Sequence, residues 1–210
     1  MFYKLVRFFG QGIFKFLYPM EFVHKENLIK EGKNIIVCNH LGKADVGMIA
    51  TLYKGKTYFL SKKEWFTNKL VSKVLTSLGG IAVDREKPSF QTMRQGLNVL
   101  NENKRLCIFP EGTRNKVNNK LQEIKQGTAF FAIKSKSKIT PIIIQDRMKM
   151  FKKTYVIIGE PFDFSEFYDV KYNEEISKQC TEKISKIMHE LQQEVFAYVD
   201  EKKKKKGKVC

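Results

Sequence analysis

Three short stretches of the chain carry side chains able to do chemistry. In Asn39-His40-Leu41-Gly42-Lys43-Ala44-Asp45 a histidine stands five residues ahead of an aspartate. That spacing does not share one face of a continuous helix, but across a strand-to-helix turn the carboxylate can fold back onto the ring. A carboxylate so placed fixes the imidazole tautomer and stabilises the imidazolium formed when His40 takes a proton. The matching task is general-base acyl transfer, in which an alcohol loses its proton as it attacks a carbonyl. A chance pairing of Asp45 with one of three histidines is the plain alternative.

The second stretch is Phe109-Pro110-Glu111-Gly112-Thr113-Arg114. Gly112 lets backbone approach a ligand closely. Arg114 offers a planar two-pronged fork suited to a phosphate, which a lysine lacks. Glu111 could orient that arginine or hold a substrate hydroxyl. The third stretch, Gly79-Gly80-Ile81-Ala82-Val83-Asp84-Arg85, ends in another arginine. Arg85 suits the same anion, unless a salt bridge with Asp84 or Glu86 occupies it. Lys125, ahead of Gly127, can also reach that anion. Polar surface turns are the alternative for each. Gly55-Lys56-Thr57 looks like the end of a phosphate-binding loop, but Ala50 stands where its first glycine belongs. Cys38 is expected as a small buried thiol rather than a nucleophile. His24 and His189 stand alone, so no metal site is expected.

The elements that must position these residues are legible as alternating patterns. Apolar runs predict strands over Asn34–Cys38, Thr57–Leu60, Gly80–Val83, Arg105–Phe109, Ile139–Ile144 and Thr154–Ile158. Helical periodicity covers Val46–Ala50, Trp65–Leu78, Phe90–Leu100 with Pro88 in its first turn, Gly127–Lys134 and Ile176–Tyr198. Pro141 inside its run predicts an edge strand or a strand start. The fold expected is α/β: a single domain with a mixed, mostly parallel sheet flanked by helices. All three reactive stretches then follow carboxyl ends of strands, where sites in open α/β sheets gather.

Composition bounds the rest. With 210 residues, 42% hydrophobic, the chain can bury a core of its own. Four cysteines, Cys38, Cys107, Cys180 and Cys210, form no close pair, so reduced thiols are expected rather than a disulfide scaffold. Lys+Arg 39 against Asp+Glu 22 gives a net charge of +17, a field that favours polyanions. No nucleic-acid motif is present, and aromatics do not interleave with arginines, so no nucleic-acid partner is expected. A non-enzymatic basic module is the competing class. Residues 1–20 sort as a basic amphipathic helix, with Phe2, Leu5, Val6, Phe9, Ile13, Phe16 and Leu17 opposite Lys4, Arg7, Gln11 and Lys15. Such a helix suits a bilayer interface, or else packs on the domain. The organisation expected is therefore 1–20 membrane-associating helix, 21–200 catalytic domain and 201–210 polybasic, frayed tail.

His40 with Asp45, Gly80–Arg85, Phe109–Arg114 and Ile139-Thr140-Pro141-Ile142, in that order, resemble the four blocks of the glycerolipid acyltransferase family, over Asn34–Pro161. Within it, Phe-Pro-Glu-Gly-Thr-Arg resembles the bacterial lysophosphatidic acid branch. The resemblance implies that His40, held by Asp45, activates the free hydroxyl of lysophosphatidate. It implies phosphate binding by Arg114, Glu111, Gly112 and Thr113, with Arg85 and Lys125 beside them. The acyl donor would be a thioester of acyl-carrier protein or coenzyme A, a co-substrate rather than a cofactor. The anionic cytoplasmic face of the cell membrane would supply the acceptor. Leu41-Gly42 departs from the polar pair, such as Gln-Ser, more common in relatives. Asn115 likewise stands where Ser is common.

Overall fold

A computed structural model describes residues 2–84 and 89–207, with side chains over 10–84 and 89–205. Its centre is β2 (Asn34–Cys38), all five residues of which are buried. Successive side chains of a strand point to opposite faces. Ile35 and Val37 accordingly join one apolar cluster, and Ile36 and Cys38 join another on the far side of the sheet. A strand buried on both faces must be apolar throughout, which is why its run shows no alternation.

Around it lie β1 (Met20–Val23), β3 (Thr57–Lys62), β4 (Gly80–Val83), β5 (Arg105–Ile108), β6 (Ile139–Ile144) and β7 (Thr154–Ile158). The order across the sheet is β1-β7-β6-β2-β5-β3-β4. Strands β2 to β6 run parallel to one another, whereas β7 pairs antiparallel with β6 and parallel with β1. One face is covered by α4 (Phe90–Asn101), α5 (Gly127–Ser135) and α6 (Glu174–Gly207). On the other lie α1 (Phe2–Leu17) and α2 (Ala44–Leu52). Helix α1 docks on α2 where Gly47 leaves room: a Cβ there would sit 2.4 Å from Cε2 of Phe14. Gln11 adds a bond from Nε2 to the Ala50 carbonyl at 2.9 Å.

Several expectations are corrected by the structure, and one falls outside the described residues. Strand β6 is interior, not an edge, although Pro141 lies within it. The proline is tolerated because it sits one step beyond the antiparallel ladder, which begins at Ile142 with Ile158. Its carbonyl accepts from Gly159 N–H at 2.9 Å, so its missing N–H falls in the gap between that ladder and the isolated bridge of Ile139 with Phe162. The helix expected over Trp65–Leu78 is split into a 3-10 turn, Lys63–Phe66, and α3 (Lys69–Ser77). Asn68 makes the break by capping α3, its side chain accepting from Leu70 N–H and Val71 N–H. Helix α4 starts at Phe90, capped by Ser89, and Pro88 lies outside the described residues. Over the described residues the tail is not frayed: α6 continues as helix through the lysine run to Gly207. Lys203 with Asp200 and Lys205 with Glu201 pair along the helix, and Lys202 reaches Glu21 on β1 at 3.3 Å. The strand missed in sequence, β1, begins at Met20, inside the segment assigned to the first helix.

Gly79 makes the turn from α3 into β4 with φ +99°, and a Cβ there would lie 2.5 Å from the Thr57 carbonyl oxygen. Gly79→Ala therefore meets both an unfavourable backbone and a backbone clash. It is expected to lower the free energy of unfolding by about 2–4 kcal/mol, read from urea denaturation.

Candidate active site

Strand β2 hands the chain to the site through Asn39. This buried side chain bonds both backbone groups of Ile144, Nδ2 to the carbonyl at 2.9 Å and the Ile144 N–H to Oδ1 at 2.8 Å. It thereby replaces the next rung between β2 and β6. His40 follows, and Asp45 returns to it from the first turn of α2. Nδ1 of His40 lies 2.8 Å from Asp45 Oδ2. The same oxygen accepts from Leu41 N–H at 2.7 Å and Gly42 N–H at 2.8 Å. A carboxylate only accepts, so Nδ1 carries the hydrogen and Nε2 presents its lone pair. Asp45 is fully buried, and its Oδ1 has no hydrogen-bond partner among the described residues. Its position at the positive end of α2 compensates part of that charge burial.

The loop after β5 grips the backbone of His40. Glu111 is buried and accepts His40 N–H on Oε1 at 2.8 Å and Gln122 N–H on Oε2 at 3.3 Å. Burial pushes the Glu111 carboxyl above its ordinary range, and the two amides act against that rise. Asn115 N–H donates to the His40 carbonyl at 2.8 Å, so both main-chain groups of His40 are held by this loop. The imidazole stacks on Phe109, with centroids 4.0 Å apart and planes 18° from parallel. Arg147, beyond β6, joins the two loops. Its Nε donates to the Leu41 carbonyl at 2.9 Å and its Nη2 to the Asn115 carbonyl at 2.8 Å.

The remaining site residues separate into three groups. Arg114 is half-buried, its guanidinium 5.7 Å from the centroid of Trp65, and no described residue accepts a hydrogen bond from it. Gly112 turns at φ +68°, and the Lys125 side chain runs where its Cβ would be, with Cδ at 3.0 Å. Lys125 N–H also bonds the Pro110 carbonyl, so Lys125 lies beside the Arg114 loop, and Thr113 is exposed on that loop. Glu111, by contrast, spends its carboxylate on backbone amides instead of orienting Arg114. Arg85 lies outside the described residues, and Asp84 is paired with Lys63. Asn39 and Phe109 stand in the stretches named from sequence without a role of their own, and Gln122 and Arg147 lie outside them. Each acts through main-chain or stacking contacts across long separations, which leave no local pattern.

A cavity of about 430 Å³ shares Phe109 with the dyad's surroundings, walled by Leu60, Val83, Met93, Ile108, Phe109 and Phe131, with Gly112 and Lys125 at its edge. A larger one, about 690 Å³, opens at the opposite end of the sheet, beside Gly55 and Arg105, and holds none of these residues. Burial raises the Cys38 thiol well above its ordinary value, which suits packing and not attack.

The family model described as Acyltransferase matches residues 20–145. The chain belongs to the acyltransferase family. That match runs from β1 to the end of β6 and contains both the dyad and the Arg114 loop. The 1-acyl-sn-glycerol-3-phosphate acyltransferase of Bacillus subtilis is 29% identical over 175 residues, covering 80% of this chain and 86% of that protein. Its counterpart from Helicobacter pylori is 28% identical over 171 residues, covering 76% and 72%. The crystal structure of the 1-acyl-sn-glycerophosphate (LPA) acyltransferase from Thermotoga maritima shares the fold, with a TM-score of 0.72 and 22% identity. It aligns over 93% of this chain and 80% of that one.

In this acyltransferase, Glu111→Gln retains only one accepting oxygen for two buried N–H groups. The orphaned amide is expected to cost about 1–3 kcal/mol of stability. Because one of those amides belongs to His40, turnover should fall while the acceptor KM changes little. Urea denaturation and steady-state kinetics check the two halves.

Proposed function

We propose that this acyltransferase moves a fatty acyl group from an acyl thioester to the free hydroxyl of 1-acyl-glycerol-3-phosphate, forming phosphatidic acid. The observation that carries this reading is the His40–Asp45 pair, 2.8 Å apart, its ring stacked on Phe109, which walls an apolar cavity, and with an arginine on the next loop that has no hydrogen-bond acceptor among the described residues. The substrate proposed is amphiphilic, and the surroundings of His40 have matching parts. The cavity takes an acyl chain, and Arg114, with Lys125 next to it, takes the phosphate.

Nε2 of His40 accepts the hydroxyl proton as the acceptor oxygen attacks the thioester carbonyl carbon. Asp45 stabilises the imidazolium without taking its proton. Collapse of the tetrahedral intermediate leaves a new C–O bond, breaks the C–S bond and expels the thiolate. The proton on Nε2 then passes to that sulfur. No acyl-enzyme is needed, consistent with the burial of Cys38 and Cys107. The donor is the acyl thioester of acyl-carrier protein or of coenzyme A, and the free carrier thiol is released.

The place of action follows from the acceptor. No described helix is long and apolar enough to cross a membrane. We place the enzyme on the cytoplasmic face of the cell membrane, held peripherally by α1 and by the basic field of the chain. The outward exposure of Ile13 and Phe16 on α1 supports this.

His40→Ala is expected to lower acyl transfer to lysophosphatidate by about 10³-fold with the fold intact, followed by thiol release. Turnover close to wild type would overturn the general-base assignment. Arg114→Ala should raise the acceptor KM by about tenfold or more and leave the donor KM unchanged. An effect confined to the donor would move Arg114 away from the phosphate.

A further inference from the structure

The geometry points to a second lipid-contacting element: the turn Lys149-Met150-Phe151-Lys152-Lys153 between β6 and β7 inserts Phe151 into an anionic bilayer beside Phe16 of α1. This rests on the membrane-borne acceptor proposed above.

Four observations carry it. Phe151 and Phe16 are 66% and 73% exposed, yet their rings meet edge to face, with centroids 5.9 Å apart. Met150 and Ile13 extend the same apolar exposure. Large apolar side chains grouped on a surface mark a contact with lipid or another molecule.

The turn is held in shape. Phe151 sits at φ 60°, a conformation unusual for an aromatic residue. Its N–H bonds the Leu17 carbonyl at the end of α1 at 2.7 Å, and Lys152 N–H bonds the Lys149 carbonyl. The backbone thus spends a strained residue on presenting a phenyl ring to the outside.

Charge selects the partner. Lys149, Lys152 and Lys153 are exposed in the same turn, Lys153 pairing with Glu21 of β1 at 3.3 Å, and Lys15 is exposed on the adjoining helix. The one carboxylate of the 145–153 connection, Asp146, accepts from Asn119. An aromatic tip flanked by lysines suits the headgroup region of an anionic membrane. A second copy of a chain with charge +17 would instead be repelled.

Position links this surface to catalysis. β6 runs parallel to β2, so its connection to β7 leaves from the same end of the sheet as His40. Arg147 in that connection bonds the dyad loop, four residues before Phe151. Seating the turn in lipid therefore brings the catalytic end against the source of acceptor.

The full chain is sedimented with vesicles of phosphatidylglycerol mixed with phosphatidylcholine, and with phosphatidylcholine alone. Wild type is expected on the anionic vesicles. Phe151→Ser should lower the partition coefficient about tenfold without changing the melting temperature. Phe151→Trp should keep binding and shift its emission to the blue on anionic vesicles, read against the wild-type spectrum. With lysophosphatidate in vesicles, Phe151→Ser should lose activity in proportion. With a short-chain acceptor dissolved as monomer, its rate should stay within about twofold of wild type, since the dyad is untouched. Equal vesicle binding by Phe151→Ser, an unshifted Phe151→Trp spectrum, or equal loss on both acceptors overturns the proposal. So does an effect seen only in self-association or in the KM of a carrier-protein donor. Loss of this proposal alone leaves His40-dependent transfer to lysophosphatidate standing. Absence of that transfer, with vesicle binding intact, sinks the catalytic reading instead.

Discussion

Everything at the catalytic end depends on one oxygen. Oδ2 of Asp45 collects the imidazole N–H and two consecutive amides, at 2.7–2.8 Å, in a place solvent does not reach. A carboxylate buried without donors would neutralise or unfold its surroundings. Here three donors and the start of α2 offset that cost. The same bonds dictate the local chain path, because Leu41 and Gly42 can both aim their amides at Asp45 only in a tight turn from strand to helix. The base is thus oriented by the turn that creates it. In the general-base reading proposed above, the imidazolium formed in turnover adds the charge that the buried carboxylate lacks at rest.

The fold supplies the anchors for that turn from both neighbours of β2. From the β5 side, Glu111 and Asn115 take the N–H and carbonyl of His40. On the β6 side, Asn39 bonds Ile144, and Arg147 ties Leu41 to Asn115. A parallel sheet with β2 at its centre is what brings both loops to one place, since β5 and β6 each flank it in register. Glu111 is unusual among these anchors, since burial disfavours its charge while two amides require its oxygens. A carboxylate kept there serves geometry: few other side chains could accept on two sides at once.

Much of this was legible in the sequence, and the reasons differ by residue. Asn34–Cys38 and Ile139–Ile144 read as strands because burial on both faces demands unbroken aliphatic runs. The His40–Asp45 pair was legible because its contact is local. Met20–Val23 was not: four residues at an edge carry no period to detect. Pro141 misled because the cost of proline depends on which side of the strand still has a ladder, a property of β7 and not of β6. Arg147 was invisible among the 39 basic residues, its role being set by two carbonyls 106 and 32 positions away. Glu111 was placed in the right loop and given a substrate contact, because a carboxylate beside an arginine suggests a pair, whereas the buried amides outbid it.

The base and the cavity are mechanically one object. Phe109 stacks on the His40 ring and forms a wall of the apolar space behind it. Its backbone carbonyl also receives Gly112 N–H, at the turn that carries Arg114 outward. A chain seated against that wall therefore presses on the plane of the imidazole and on the root of the phosphate loop. In a close-packed interior such a displacement is transmitted, not absorbed. If, as proposed, that space takes the acyl chain and His40 is the base, acyl fit and base orientation are coupled through this ring, so a chain that fills the space poorly loses reaction rate as well as affinity.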